Sequence, residues 1–410
     1  MIDVAVIGGA LNGLAAALAL AGTTARTPVP TLVIDRADPQ SYGNPARDRR
    51  ASAITASSRH MLTALGVWEG LQSQAEPMRR IEVTDSSLGP RDGRPVLLHF
   101  EETDQPGEPA AFMVENHHLH RALHEAARAS PNIRFMTGQG VASCDYGEHA
   151  GVVTLEDGET VRARLVVAAD GRKSRARQAA QISGNGWSYG QSAIVTAIGH
   201  TRPHEGVAVE HFLPAGPFAI LPLTGNRSAI VWTESTAGAA EILRAERGEQ
   251  ERALKARVGE RLGDVSIIGG LQGFPLDLFI ADSFIGRRLA LIGDAAHVIH
   301  PIAGLGFNLG LRDAAALAEV VVEDARLGLD HGAAPTLERY QAWRRFDTMM
   351  VAAATDGLNR LFSNDNQALR LIRSAGLRAV NQLKPARAAF IREAAGLTGS
   401  LPRLLRGIPL

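Results

Sequence analysis

The sequence predicts an α/β fold: a Rossmann-like nucleotide-binding domain interleaved with a smaller substrate domain that carries a mostly antiparallel sheet, followed by a helical C-terminus. Three observations predict it. A strand, a glycine-rich turn and a helix open the chain at Asp3–Ala21. Two later apolar runs, Leu165–Ala169 and Leu289–Ile292, each end in a paired glycine and aspartate, Asp170-Gly171 and Gly293-Asp294. Between them, strand-like runs such as Ser192–Ile198 and Ser228–Thr233 alternate as antiparallel strands do.

The first domain is expected over 1–79, 110–181 and 274–345, the second over 80–109 and 182–273, and a helical region over 346–410. Asp3–Ile7 is a β-branched run, Leu14–Ala21 is rich in alanine and leucine, and Thr31–Ile34 ends at Asp35, which together read as a βαβ unit. A helix over Ser57–Leu65 closes at Gly66. From Arg80 to Phe112 the pattern alternates, broken by Gly89, Pro90, Gly93, Pro95, Gly107 and Pro109. A helix over Asn116–Ala129 precedes a meander over Arg134–Thr160, and another helix is expected over Asn308–Glu323.

Composition narrows the function classes. Forty-three basic residues balance forty-three acidic ones, so no global field favours nucleic acid. Only Lys173, Lys255 and Lys384 are lysines, which leaves arginine forks as the cationic contacts for carboxylate or phosphate. The single cysteine, Cys144, excludes an intrachain disulfide and any multi-cysteine metal site; no metal is expected, and a reducing cytoplasm fits. The apolar N-terminus carries Asp3, lacks a basic leading region and has ordered glycines, so it reads as a domain start and not as a signal peptide. No apolar run reaches the roughly 18 residues that span a bilayer.

The turn Gly8-Gly9-Ala10-Leu11-Asn12-Gly13 follows a strand, opens a helix and is answered by Asp35, with Arg36 beside it. That context fits a dinucleotide: Gly8 for the tight turn, Gly13 for close packing of helix on strand, the helix N-terminus for a pyrophosphate and the Asp35 carboxylate for ribose hydroxyls. Ala10 departs from the usual middle glycine and puts a methyl group where the pyrophosphate approaches. The segment His300-Pro301-Ile302-Ala303-Gly304-Leu305-Gly306-Phe307-Asn308-Leu309-Gly310 follows Gly293-Asp294. A simple NAD enzyme has no need of it.

On these motifs, with Arg50-Ala51-Ser52-Ala53-Ile54 and Leu65-Gly66-Val67-Trp68, nearly the whole chain resembles the class A flavoprotein monooxygenases, of the p-hydroxybenzoate hydroxylase-like fold. It is most similar to their ubiquinone-biosynthesis branch of polyprenylphenol hydroxylases. The resemblance implies FAD as cofactor, NADH or NADPH as electron donor, and oxygen transfer from a C4a-hydroperoxyflavin to an electron-rich ring. The implied partners are dioxygen and a hydrophobic phenol. It also implies that Asp35 binds the adenosine ribose, that Arg50 lies along the pyrophosphate or ribityl chain, and that Asp294 binds the ribityl side. Asp170-Gly171 serves both FAD and the nicotinamide donor in this family. The resemblance further implies that the loop from Pro301 through Gly304, Gly306 and Phe307 to Asn308 passes the flavin ring, where backbone N–H groups can stabilise the anionic reduced flavin without a titrating acid. Asn116 stands where the family often has Arg or Gln near the flavin.

Among His211, His297 and His300, His300 with the adjoining Pro301 is the catalytic candidate by position; the other reading of each histidine is a hydrogen-bonded neutral imidazole. Gly216–Leu223 suits a prenyl tail or a plain core strand. From Leu369 to Leu410 eight basic residues face one acid, Glu393, a composition that fits an anionic membrane surface, a partner protein in a biosynthetic complex, or a helix docked on its own domain. The expected location is therefore cytoplasmic, with a peripheral place on the inner face of the membrane left open, as is a homo-oligomer. Two other readings stand beside the prenylphenol hydroxylase: a flavoprotein acting on a small soluble phenol or as a reductase, and a non-catalytic FAD-bound scaffold. A flavin halogenase is disfavoured, since its Trp-x-Trp-x-Ile-Pro segment is missing around Trp68, Trp187, Trp232 and Trp343.

Overall fold

The opening strand Ile2–Ile7 sits centrally in a parallel sheet because Val4–Ile7 are apolar on both faces, as a strand covered by helices on both sides requires. In the computed structural model, which describes residues 1–85, 96–101, 109, 111–362 and 395–410, its parallel neighbours are Thr160–Ala168 on one side and Thr31–Asp35 on the other. Leu289–Leu291 and Ile133–Thr137 extend the parallel order outward. The helices Leu11–Ala21, Asn116–Ala129 and Leu305–Arg326 cover this sheet, and Val4, Val6, Leu14, Leu18, Val166 and Leu317 lie in the shared core. The alanine- and leucine-rich helix needs little more than its own propensity and burial.

A second eight-stranded sheet runs in the order His297–Val298, Val265–Ala281, Gly184–His200, Arg227–Ser235, Gly216–Leu223, Val207–Leu213, Arg80–Asp85, Val96–Glu101. It is antiparallel apart from the parallel pairing of Val207–Leu213 with Arg80–Asp85. One face packs on the helices Thr236–Arg244 and Arg247–Val258; the other faces the first domain. A small sheet of Ala51–Thr55, Ala111–Glu115 and Glu76–Pro77 lies between.

Several elements differ from the sequence reading. The strand Val265–Ala281 continues through the boundary expected at 273/274, because it pairs with Gly184–His200 as far as Gly184 and Ala281. The helix Ala334–Phe362 likewise runs through the boundary expected at 345/346. Ile133–Thr137 belongs to the parallel sheet, leaving Val141–Tyr146 and Gly151–Leu155 as an antiparallel extension of Thr160–Ala168 in place of a longer meander. The helix expected from Asn308 begins at Leu305, since Gly304 adopts the left-handed conformation (φ +64°) that caps it. Gly89, Pro90, Gly93, Pro95 and Gly107 lie outside the described residues, as does the part of the basic C-terminal segment from 363 to 394. The final residues, 395–410, dock on their own domain: Leu404 and Leu405 are buried in the main core and the Arg403 N–H donates to Glu319.

Candidate active site

Four parallel strands end side by side, and each hands the chain to an expected cofactor residue: Ile7 to Gly8, Asp35 at the end of its strand, Ala168 to Asp170, and Leu291 to Gly293-Asp294. Ligands of open parallel sheets bind at such carboxyl ends. Gly8 has φ +107°, and a Cβ there would stand 2.3 Å from the Ala169 carbonyl oxygen; a Cβ on Gly13 would stand 1.8 Å from the Gly8 oxygen. Both positions therefore require glycine. Ala10 has φ −81°, which any residue adopts, and caps the helix with no side-chain bond of its own. Asn12 joins this turn to the fourth strand end: its amide fills the space beside Gly293 and Gly310, and its Oδ1 is buried without a partner.

Asp35 accepts from the Gly9 N–H at 2.5 Å and the Ala37 N–H at 2.7 Å. The Tyr42 hydroxyl lies 3.2 Å from both of its oxygens, and burial together with the Asp35 charge pushes that hydroxyl up to about 12. Arg36, next in sequence, is exposed. Asp170 accepts from the N–H groups of Arg175 and Ala176 through Oδ2, while Oδ1 is buried and unpartnered; burial raises its carboxyl above the usual range.

A cavity of about 1270 Å³ lies between the two large sheets, and Arg50, Asp294, His300, Pro301, Gly304 and Asn308 all line it. Gly8, Gly13, Asp35, Asn116 and Phe307 are not on its wall: the glycine turn and Asp35 lie at the strand ends, and Phe307 packs against the main core. Asp294 is open to this cavity yet ringed by protein, so burial raises its carboxyl against the lowering pull of His297, Arg50 and Arg172. Arg50 is gripped by Asp48 through two bonds of 2.8 Å and lies 4.9 Å over the Phe274 ring. Asn116 donates to Asp48 at 3.0 Å and accepts from the Ser52 hydroxyl at 2.8 Å, so it positions the carboxylate that aims Arg50. Burial works to raise Asp48, but the bonds from Arg50 and Asn116 outweigh it and hold the carboxyl low.

Asn308 clamps the helix to the strand Ala51–Thr55, donating to the Ala53 carbonyl at 2.7 Å and accepting from the Thr55 N–H at 3.1 Å. Gly304 passes close by, where a Cβ would stand 3.2 Å from that of Ala53; Gly306 has open space around it. His300 is fully buried, its ring edge-on to Tyr189 and both nitrogens without a partner among the described residues, and burial pulls it down to about 4. That direction favours the neutral imidazole. His211 lies on the sheet's other face beside the Thr84 hydroxyl and Phe218, and His297 pairs with Asp313 at 2.6 Å.

Sequence reasoning assigned no role to Asp313, which is fully buried and accepts from the Gly293 N–H at 3.0 Å, His297 and Arg344 Nε at 2.8 Å. Burial alone would raise it; His297 and Arg344 hold it below the usual range. It anchors the turn that presents Asp294. Elsewhere Glu115, His117 and His118 bring one ligand atom each within 4.8 Å of one another, but Glu115 is already committed to Arg227 by two bonds.

The glycine cradle, the buried unpartnered oxygens of Asn12 and Asp170, and a helix start without a side-chain cap fit a bound dinucleotide. The FAD binding domain family matches residues 1–353. The chain is 42% identical to a ubiquinone hydroxylase (UbiL) of Rhodospirillum rubrum over 413 residues, covering 100% of this chain and 93% of that protein. It is 32% identical to the 3-demethoxyubiquinol 3-hydroxylase of Escherichia coli, covering 96% and 98%. Among solved structures, p-nitrophenol 4-monooxygenase of Pseudomonas putida shares the fold at a TM-score of 0.80 with 18% identity, over 97% of this chain and 98% of that one. This chain belongs to the FAD-dependent class A monooxygenases, in the branch that holds the ubiquinone hydroxylases.

Proposed function

We propose that this enzyme hydroxylates the ring of a phenol carrying a polyprenyl tail, in ubiquinone formation, with NADH or NADPH as electron donor and dioxygen as co-substrate. The cavity carries the reading. It extends from Asp294 and Pro301 along a wall that includes Ala208, Ala219 and Ala229 to the helix Ala334–Phe362, where Phe346 and Met350 line it while remaining 73% and 55% exposed. An aromatic head fits beside the cofactor end, and an apolar rim suits a tail reaching toward a membrane surface. No helix among the described residues is long and apolar enough to cross a membrane, so the contact proposed is peripheral. The names of the relatives point to the same substrate class.

In this reading the turn Gly8–Gly13 and its helix receive the FAD pyrophosphate, Asp35 the ribose, Arg50 and Asp294 the ribityl side, and Pro301–Asn308 the ring. FAD, when bound, supplies electron storage and oxygen activation. The chain's own residues orient and exclude water: Asp48 and Asn116 hold Arg50, Asp313 holds the Asp294 turn, and Asn308 fixes the loop against Ala53. The test is substrate-stimulated NAD(P)H oxidation coupled to hydroxylated product, comparing a geranyl-substituted phenol with the same phenol lacking the chain. Strong preference for the prenylated compound is expected. Equal stimulation by both would move the substrate to small soluble phenols, and no product from either would remove the hydroxylase reading.

A further inference from the structure

Glu210 sits mid-strand in Val207–Leu213, on the sheet face that lines the cavity. The period of two fixes its direction. Val207 and Val209 pack with Trp232 and Leu254 on the far face, whereas Ala208 packs with Ala53 and Met78 on the near one, and Glu210 alternates with the former and shares the latter. Across the sheet its neighbours in register are Val83 on one side and Ala219 on the other, then Val231 and Val195. It is a carboxyl set in an otherwise apolar row.

The other charges around the cavity are engaged elsewhere. Arg50 is bound by Asp48, Arg80 by Glu82 and Arg172 by Asp277. Arg312 and Arg344 share Asp347, Arg79 acts on Glu76, and Arg49 lies against Gly269. Neither these groups, Asp294 nor neutral His300 acts on Glu210, which makes no hydrogen bond or ion pair among the described residues; burial alone pushes its carboxyl to about 7. Glu210 is half-buried, facing the cavity; an ionisable group withdrawn from bulk water without a partner is costly, and such groups collect where a ligand supplies the partner.

Resting on the reading that the cavity takes a phenol, we propose that Glu210 is the catalytic residue that accepts the phenolic proton. The substrate O–H bond breaks, its electron pair stays on oxygen, and the proton passes to the Glu210 carboxylate, so the ring becomes a phenolate with greater electron density at its ortho and para carbons. The site stays at one negative charge through the transfer, which avoids burying a second. Of the histidines considered above, His211 meets the Thr84 hydroxyl on the sheet's other face, His297 pairs with Asp313, and His300, which also lines the cavity, is pulled down to about 4 by burial and so binds a proton less readily than Glu210.

The experiment compares FAD-loaded wild type, Glu210→Gln and Glu210→Asp on a geranyl-substituted phenol and on its ring-fluorinated, more acidic analogue, measuring product from pH 5.5 to 9. Flavin absorbance checks that each variant is folded and loaded. Wild-type product formation should rise with pH about an apparent midpoint near the Glu210 value. In Glu210→Gln the parent phenol should lose roughly 100-fold, in the range of a lost general base, and the pH limb should move toward ionisation of the phenol itself. The fluorinated phenol, ionised without help, should show a much smaller wild-type-to-variant ratio, and Glu210→Asp should recover part of the rate. An unchanged rate and pH profile in Glu210→Gln, or the same loss for both phenols, overturns the assignment. Wild type that hydroxylates neither phenol overturns the functional reading as well, which separates the two failures.

Discussion

The two faces of the large antiparallel sheet come from the same strands and do opposite things. Toward the helices Thr236–Arg244 and Arg247–Val258 they present Ile194, Phe218, Ile230 and Trp232, all fully buried. Toward the first domain they present Ala193, Ala208, Ala219 and Ala229, with Glu210 among them. One face fills its space, and the other leaves a cavity. The charges divide in the same way: Asp313, in the packed domain, has a partner for each oxygen, while Glu210, on the open face, has none among the described residues. Filled space and paired charge mark the scaffold here, and omitted side chains with an unpaired acid mark the site.

The largest effect should come from breaking the packed face. Trp232 carries Arg257 over its ring at 4.1 Å and meets Phe218 edge-on, so Trp232→Ala removes a buried aromatic with little room for collapse. A loss of about 3–5 kcal/mol in denaturant unfolding is expected. A cost under about 1 kcal/mol would mean that this face is no more filled than the other.

The two carboxyls should move stability in opposite directions with pH. Asp313 is held below the usual carboxylate range, so its contribution is present above that range and is lost as pH falls through its folded value. Asp313→Asn should cost about 3 kcal/mol at pH 7 by taking the carboxylate from His297 and from Arg344 Nε, whose other arm Asp347 still holds, and should flatten the acid limb of stability. Glu210 is held above its usual 4.5, near 7, so stability declines as pH climbs through that window. Glu210→Gln should therefore stabilise the fold at pH 8 by on the order of 2 kcal/mol and have little effect at pH 5. Unfolding midpoints of both variants across pH 4–9 check this, and shifts of the same sign would contradict the contrast.

How much the sequence disclosed depends on how local each signal is. The turn Gly8–Gly13, the helix Asn116–Ala129 and the glycine–acid steps are written in adjacent residues, and Arg50, Asp294, Pro301, Gly304 and Asn308 do line one cavity. Helix and strand limits slipped where a left-handed glycine or a long pairing decided them, as at Gly304 and in Val265–Ala281. Asp313 went without a role because His297 and Arg344 lie 16 and 31 residues away. Glu210 was passed over because a glutamate in an alternating strand ordinarily points to water; only the register shows that its face is closed over by another domain. At Ala10 the backbone turned out not to need glycine, so the departure from the usual turn is confined to one methyl group.

The smallest change in stability should come from adding bulk to the open face, where it should instead reach activity. Ala219 stands directly opposite Glu210 in register and lines the cavity. In Ala219→Leu the added carbons enter space that the fold leaves unfilled, so unfolding free energy should stay within about 1 kcal/mol of wild type. The same substitution at Ala239, buried among Trp232 and Leu254 on the packed side, should cost about 1–3 kcal/mol by overpacking. For turnover the order reverses. A leucine beside Glu210 excludes an aromatic ring, so KM for a geranyl-substituted phenol should rise by roughly tenfold or more, as a misfitted apolar group does in a shaped pocket; Ala239→Leu should leave KM near wild type. If Ala219→Leu destabilises as much as Ala239→Leu and leaves KM unchanged, the wall around Glu210 is ordinary core, and the substrate lies elsewhere in the cavity.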